Sequence, residues 1–134
     1  MSRASAALRR EVRLRAGRRC EYCRLPEGQT LYTFHVEHII AMQHGGLTEP
    51  ANLAWACLEC NAAKGPNIAT FDPETGELIR LYNPRQQAWD DHFEIAKGEI
   101  IGKTSIGRAT AFLLTFNTEE RIAIRRELLE SDQW

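Results

Sequence analysis

Two Cys-x-x-Cys pairs constrain this chain more than any other feature: Cys20-Glu-Tyr-Cys23 and Cys57-Leu-Glu-Cys60. Each pair puts two thiols on one tight turn, and two such turns complete a tetrahedral site with bonds of ~2.3 Å to zinc. A closed four-thiolate site serves folding rather than catalysis. The 33 residues between Cys23 and Cys57 exceed the roughly 15–20 of a simple zinc ribbon. Something other than a turn must fill that interval. It holds His35-Val-Glu37-His38-Ile-Ile, then Gly45-Gly46, then Asn52-Leu, and Asn61 and Lys64 follow the last cysteine.

Paired thiols are metal ligands rather than disulfides in a reducing compartment, and composition is consistent with a cytoplasmic location. The first ten residues lack an apolar stretch, so no secretory signal is expected. The longest apolar run, residues 53–58, has six members, against roughly 20 for a membrane span. No membrane partner is expected. With 43% apolar and 26% charged residues among 134, the chain has the composition of one ordinary folded domain rather than a disordered segment. Its net charge of −1 is unevenly spread. Residues 1–24 hold eight Arg against two Glu, a local +6, which leaves −7 on the other 110. A basic arm on an acidic body suits an anionic partner met at one end, and equally a solvated Arg-rich helix. Arg10, Arg18 and Arg19 are the candidates for phosphate contact.

Spacing predicts the elements. Ala4, Leu8 and Val12 recur every fourth residue and make an apolar stripe on a helix over residues 5–16, with Gly17 to end it. Residues 31–35, Leu-Tyr-Thr-Phe-His, read as a strand running into Glu37-His38, and residues 53–56 as a second. Residues 58–64 form a short helix closed by Gly65-Pro66. Beyond it, a hairpin turns at Gly76 and another at Lys97-Gly98. Two helices over 105–116 and 118–130 follow, with Asn117 as N-cap and Ile122, Leu128 and Leu129 toward one face. Trp55 reads as core, His44 as exposed, and His92 as structural.

Hydrolysis of a phosphodiester needs a base for water, a cation for the developing charge, and groups that fix the phosphate. An imidazole with pKa near ~6.5 serves as base at neutral pH. A carboxylate and an amide oxygen are hard donors suited to Mg²⁺. Glu37, His38 and Asn61 are of these types, provided the two knuckles bring Asn61 beside the strand.

In this order and spacing, the motifs resemble the HNH endonuclease family, a ββα-metal nuclease fold, over residues 17–66. The resemblance implies an α+β protein: a ββα-metal core with four-cysteine zinc knuckles, an N-terminal basic helix over 4–17, and an extension over 67–134 with β-hairpins and two helices, all as one domain. It implies His38 as general base, Glu37 and Asn61 as ligands of a catalytic Mg²⁺ or Mn²⁺, Asn52 as a brace that orients His38, and Lys64 on phosphate. His35, two residues from Glu37 on the same strand face, reads as a third ligand or as a group behind the ligands. Glu37 stands where the family more often has Asp, and Asn61 makes the set H-N-N. The implied activity is metal-dependent cleavage of nucleic acid, with DNA favoured. A zinc-stabilised nucleic-acid-binding module without catalysis is the alternative.

Overall fold

The computed structural model describes residues 4–134, which divide into two compact units with the boundary between Ile68 and Ala69. The first unit opens with α1 (Ala6–Arg15), capped by Ser5, whose Oγ accepts a hydrogen bond from Leu8 N. Of its residues only Val12 is buried. One valine contributes roughly 2 kcal/mol, little for a helix of this length, so α1 is tied down mainly by its arginines. Arg9 donates to Phe34 O and lies over the Trp55 ring, Arg13 forks onto Glu27, and Arg15 donates to Pro50 O and Leu53 O. The basic arm is thus largely turned inward on the protein's own carbonyls and carboxylates. Arg19 likewise donates to Arg24 O, while Arg10 and Arg18 are exposed.

An antiparallel hairpin follows: β1 (His35–His38) and β2 (Leu53–Ala56), with His35 opposite Ala56, Glu37 opposite Ala54 and His38 opposite Leu53. The strand expected from residue 31 begins only at His35. Its partner stops at Ala56 because Cys57 turns into the next helix, so residues 31–34 have no strand to pair with, and Leu31 and Tyr32 are exposed. β2 is buried along its whole length, with Trp55 in the core as expected. The helix α2 (Leu58–Lys64) uses Cys57 as N-cap and ends at Gly65, completing a ββα arrangement.

The second unit pairs β3 (Ala69–Phe71) with β4 (Leu78–Arg80), then sets α3 (Trp89–His92) before a hairpin of β5 (Phe93–Ala96) and β6 (Glu99–Gly102). That hairpin turns at Lys97-Gly98, both at positive φ, as the dipeptide predicts. α4 (Ser105–Leu113) and α5 (Glu119–Glu130) complete it. α4 approaches so closely that a Cβ on Gly107 would meet His92 O at 2.1 Å. The core gathers Tyr82, Trp89, Phe93, Ile100, Leu114 and Phe116.

Two expectations here need correction. The cap of α5 is Thr118, whose hydroxyl accepts from Arg121 N. Asn117 instead pairs its amide with both Ile100 N and Ile100 O. The inward face of α5 carries Arg121, Arg125 and Leu128, while Leu129 is exposed. The two guanidiniums reach carbonyls at the end of α4 and in the β5–β6 turn, among them Leu114 O and Gly98 O. An apolar stripe cannot reveal a helix that docks through arginine stems and carbonyl bonds. The α+β class is as expected: five helices longer than a 3₁₀ turn and three two-stranded antiparallel sheets among the described residues.

Candidate active site

The four cysteines converge. All are buried, and their Sγ atoms lie within 4.8 Å of one another. Cys23 Sγ and Cys57 Sγ are 3.7 Å apart, close to the ~3.8 Å edge of a tetrahedron with ~2.3 Å bonds and far beyond the ~2.05 Å of a disulfide. Within each knuckle the second cysteine's N–H faces the first sulfur, Cys23 N to Cys20 Sγ and Cys60 N to Cys57 Sγ, both at 3.4 Å. Mutual hydrogen bonding with Cys20 and Cys23, then burial, push the Cys57 thiol up; burial first does the same to Cys60. The Cys57 and Cys60 thiols therefore resist ionisation, a cost that a cation among the sulfurs would relieve. The cluster fits a zinc site.

The first knuckle is also joined to the sheet. Glu21 N donates to Trp55 O and Trp55 N donates to Glu21 Oε2, while the Trp55 indole donates to Glu27. Tyr22, between the two cysteines and fully buried, reaches the middle of β1, where its hydroxyl donates to Glu37 Oε2 at 2.7 Å. The zinc knuckle thereby holds one oxygen of the candidate metal-binding carboxylate. No spacing in the sequence signals that contact, because Tyr22 occupies one of the two free positions of a Cys-x-x-Cys turn.

Glu37 is 4% exposed, and Lys64 is 1% exposed. The Lys64 Nζ lies 2.5 Å from Glu37 Oε1, off the line a hydrogen bond requires, so Oε1 is buried in an ion pair without an aligned donor. Lys64 also donates to Ile39 O at 2.9 Å and to His38 O at 3.3 Å. Burial raises the Glu37 carboxyl above its usual range, and Lys64 and Tyr22 offset that only in part. Lys64, which the resemblance puts on phosphate, faces the interior in this structure. Asn61 stands one helical turn before it on α2, on the same face. A carboxylate oxygen and an amide oxygen are donors of the kind a hard cation takes, and in this structure the Glu37 carboxylate is paired with the Lys64 ammonium.

His38 ends β1, half-buried. Burial first, and then the Lys64 charge, lower its pKa, which favours the uncharged ring. Its Nε2 lies 2.9 Å from Thr48 Oγ1, a residue that motif spacing does not single out. Asn52 does not touch the ring. Its Oδ1 accepts from Ile40 N, and its Nδ2 donates to Ile40 O and Leu47 O, so it laces the loop between the strands. His35 is half-buried on the face that alternation shares with Glu37, and His44 is exposed. In the second unit His92 Nδ1 lies 2.7 Å from Thr104 Oγ1, and its ring meets Tyr82 edge-on.

A ββα unit beside a four-cysteine cluster that fits zinc, with a carboxylate and an imidazole adjacent on its first strand, is the class this site defines. Residues 20–67 match the family model of the HNH endonucleases. No curated protein and no solved structure gave a match. Among the described residues no helix is long and apolar enough to cross a membrane.

Proposed function

We propose that the protein is a metal-dependent endonuclease acting on nucleic acid, with DNA the favoured substrate. The observation that carries the reading is His38: an imidazole held at the end of β1, 2.9 Å from Thr48 Oγ1, within the segment that matches the endonuclease family. As general base it would take a proton from the water that attacks phosphorus. Glu37 and Asn61 would hold Mg²⁺ or Mn²⁺, and His35 would stand behind Glu37. Such a cation, when bound, neutralises charge on the phosphate and the leaving oxygen. Asn52 keeps the loop around His38 in one shape. Lys64 balances Glu37 until a cation takes that position, and contact with phosphate is its role thereafter. Arg10, Arg18 and Arg19 would add sequence-independent attraction to phosphate that weakens with salt. Residues 17–66 form the catalytic core in this reading, residues 67–134 extend the same domain, and a reducing cytoplasm keeps the cysteines free for zinc.

One observation favours a second reading, a zinc-stabilised module that binds nucleic acid without cutting it. Glu37 already has a buried cationic partner in Lys64. Plasmid nicking with Mg²⁺ or Mn²⁺, run on the wild type and on His38→Ala, separates the two. Cleavage by the wild type and a loss of at least roughly 100-fold in the variant are expected. Equal rates in both, or cleavage by neither with retained binding, sink the nuclease.

A further inference from the structure

A neutral imidazole has one N–H and one lone pair, and the group on one nitrogen decides what the other can do. In His38 the Nε2 side faces Thr48 Oγ1 at 2.9 Å, and no described protein group hydrogen-bonds Nδ1. If Thr48 donated to Nε2, the ring's only lone pair would be engaged and Nδ1 would carry the proton. The base would be blocked. If Thr48 accepts from Nε2–H, the Nδ1 lone pair is open.

The segment that presents Thr48 is built tightly. Asn52 Nδ2 donates to Leu47 O, the carbonyl joined to the Thr48 nitrogen, and also to Ile40 O. Gly46 leaves no room for change: a Cβ there would lie 1.7 Å from Ile40 O and 2.8 Å from Asn52 Nδ2. Gly46 N donates to Ala41 O, closing the loop from its other side. The main chain leading into Thr48 is thus held by hydrogen bonds at Gly46 N and Leu47 O.

We propose that Thr48 is the positioning residue of His38: its hydroxyl oxygen accepts the Nε2 proton, fixes the ring, and leaves Nδ1 as the basic nitrogen. Asn52 then acts on His38 through Leu47 and Thr48 rather than by touching it. The catalytic half of this inference rests on the nuclease reading. In that step the O–H bond of water breaks and its proton moves to Nδ1, the hydroxide oxygen bonds to phosphorus, and the P–O bond to the leaving sugar oxygen breaks, that oxygen taking a proton from solvent. The ring becomes a cation whose Nε2–H is already held by Thr48.

The test uses full-length, zinc-loaded protein labelled with ¹⁵N-histidine. With only four histidines, the His38 ring signals are assigned by their absence in His38→Gln. Long-range ¹H–¹⁵N correlation is expected to show the Nε2–H form in the wild type, a mixture of forms in Thr48→Val, and the Nε2–H form again in Thr48→Ser. In parallel, kcat for cleavage should fall roughly 10–100-fold in Thr48→Val, as when a group that orients a catalytic-site ligand is lost. KM should stay near wild type, and Thr48→Ser should recover most of the rate. Zinc content and thermal unfolding check the fold of each variant. A wild-type ring protonated on Nδ1 overturns the proposal without need of any variant. So does a well-folded Thr48→Val with wild-type tautomer and rate. If the wild type never cleaves while the tautomer still follows Thr48, the nuclease reading falls and the hydrogen-bond assignment stands.

Discussion

Each unit of the molecule sets a buried carboxylate against a cation, Glu37 against Lys64 and Asp72 against Arg108, and these two pairs behave oppositely. Asp72 accepts a fork from Arg108 Nε and Nη2, together with hydrogen bonds from Glu74 N and the Thr75 hydroxyl. The Arg108 hydrogen bonds lead in holding its carboxyl down to about 2. Glu37 has one aligned donor, the Tyr22 hydroxyl, and an ammonium set off-axis, and burial drives its carboxyl upward. Arginine's planar fork matches a carboxylate where a lysine supplies a point charge. The second unit has therefore satisfied its carboxylate, as a structural pair should be. The first has left its own under-satisfied, the condition in which carboxylates serve as functional groups.

Metal removal tests the contrast most severely. All four cysteines lie in the first unit, and structural zinc contributes about 10–16 kcal/mol to folding in comparable small modules. Chelation, or Cys57→Ser, is expected to abolish protection of amides in residues 4–68 while those in 69–134 stay protected. Hydrogen exchange read by mass spectrometry checks this, and uniform loss across both units would break the division. Next comes Lys64→Met. It strands a buried carboxylate and should cost about 3–5 kcal/mol in urea unfolding, with much of that recovered in Lys64→Met/Glu37→Gln. Arg108→Met should cost less, because Asp72 keeps its bonds from Glu74 N and Thr75. Equal losses would erase the distinction between the pairs.

Acid sharpens it further. Asp72 has a folded pKa below its unfolded value of ~3.9, so its contribution is complete above about pH 4 and is lost as pH falls toward about 2. Melting of the second unit should weaken across that window, and Asp72→Asn should remove this part of the pH dependence. A curve for Asp72→Asn parallel to the wild type refutes the assignment. The smallest effects belong to the caps, where the units are alike: Ser5→Ala and Thr118→Ala should each cost about 1 kcal/mol by thermal unfolding.

Legibility followed range. Turns at Gly76 and Lys97-Gly98, the strand at residues 53–56 and the helix over 58–64 rest on a few neighbouring residues, and the structure has them there. Residues 31–34 read as strand because they have the right side chains, yet a strand needs a partner, and β2 ends too soon. Asn117 looked like a cap because its chemistry suits one, but its amide pairs with the main chain of Ile100 on β6. The arginines of α1 looked like a surface for an anion, and most found carbonyls and Glu27 within their own unit.

By itself, the sequence determined the chemistry available: four thiols in two knuckles, a carboxylate beside an imidazole, a helix that carries the last cysteine, and glycines where turns had to close. Those follow from local geometry, since two cysteines three apart already share a turn and adjacent residues share a strand. Only the tertiary structure decided who meets whom. It put Tyr22 on Glu37, aimed Lys64 inward at the same carboxylate, and brought Thr48 to His38 from ten positions further along the chain. Contacts of that kind depend on the direction of a side chain after distant segments have packed, and no spacing along the chain encodes a direction.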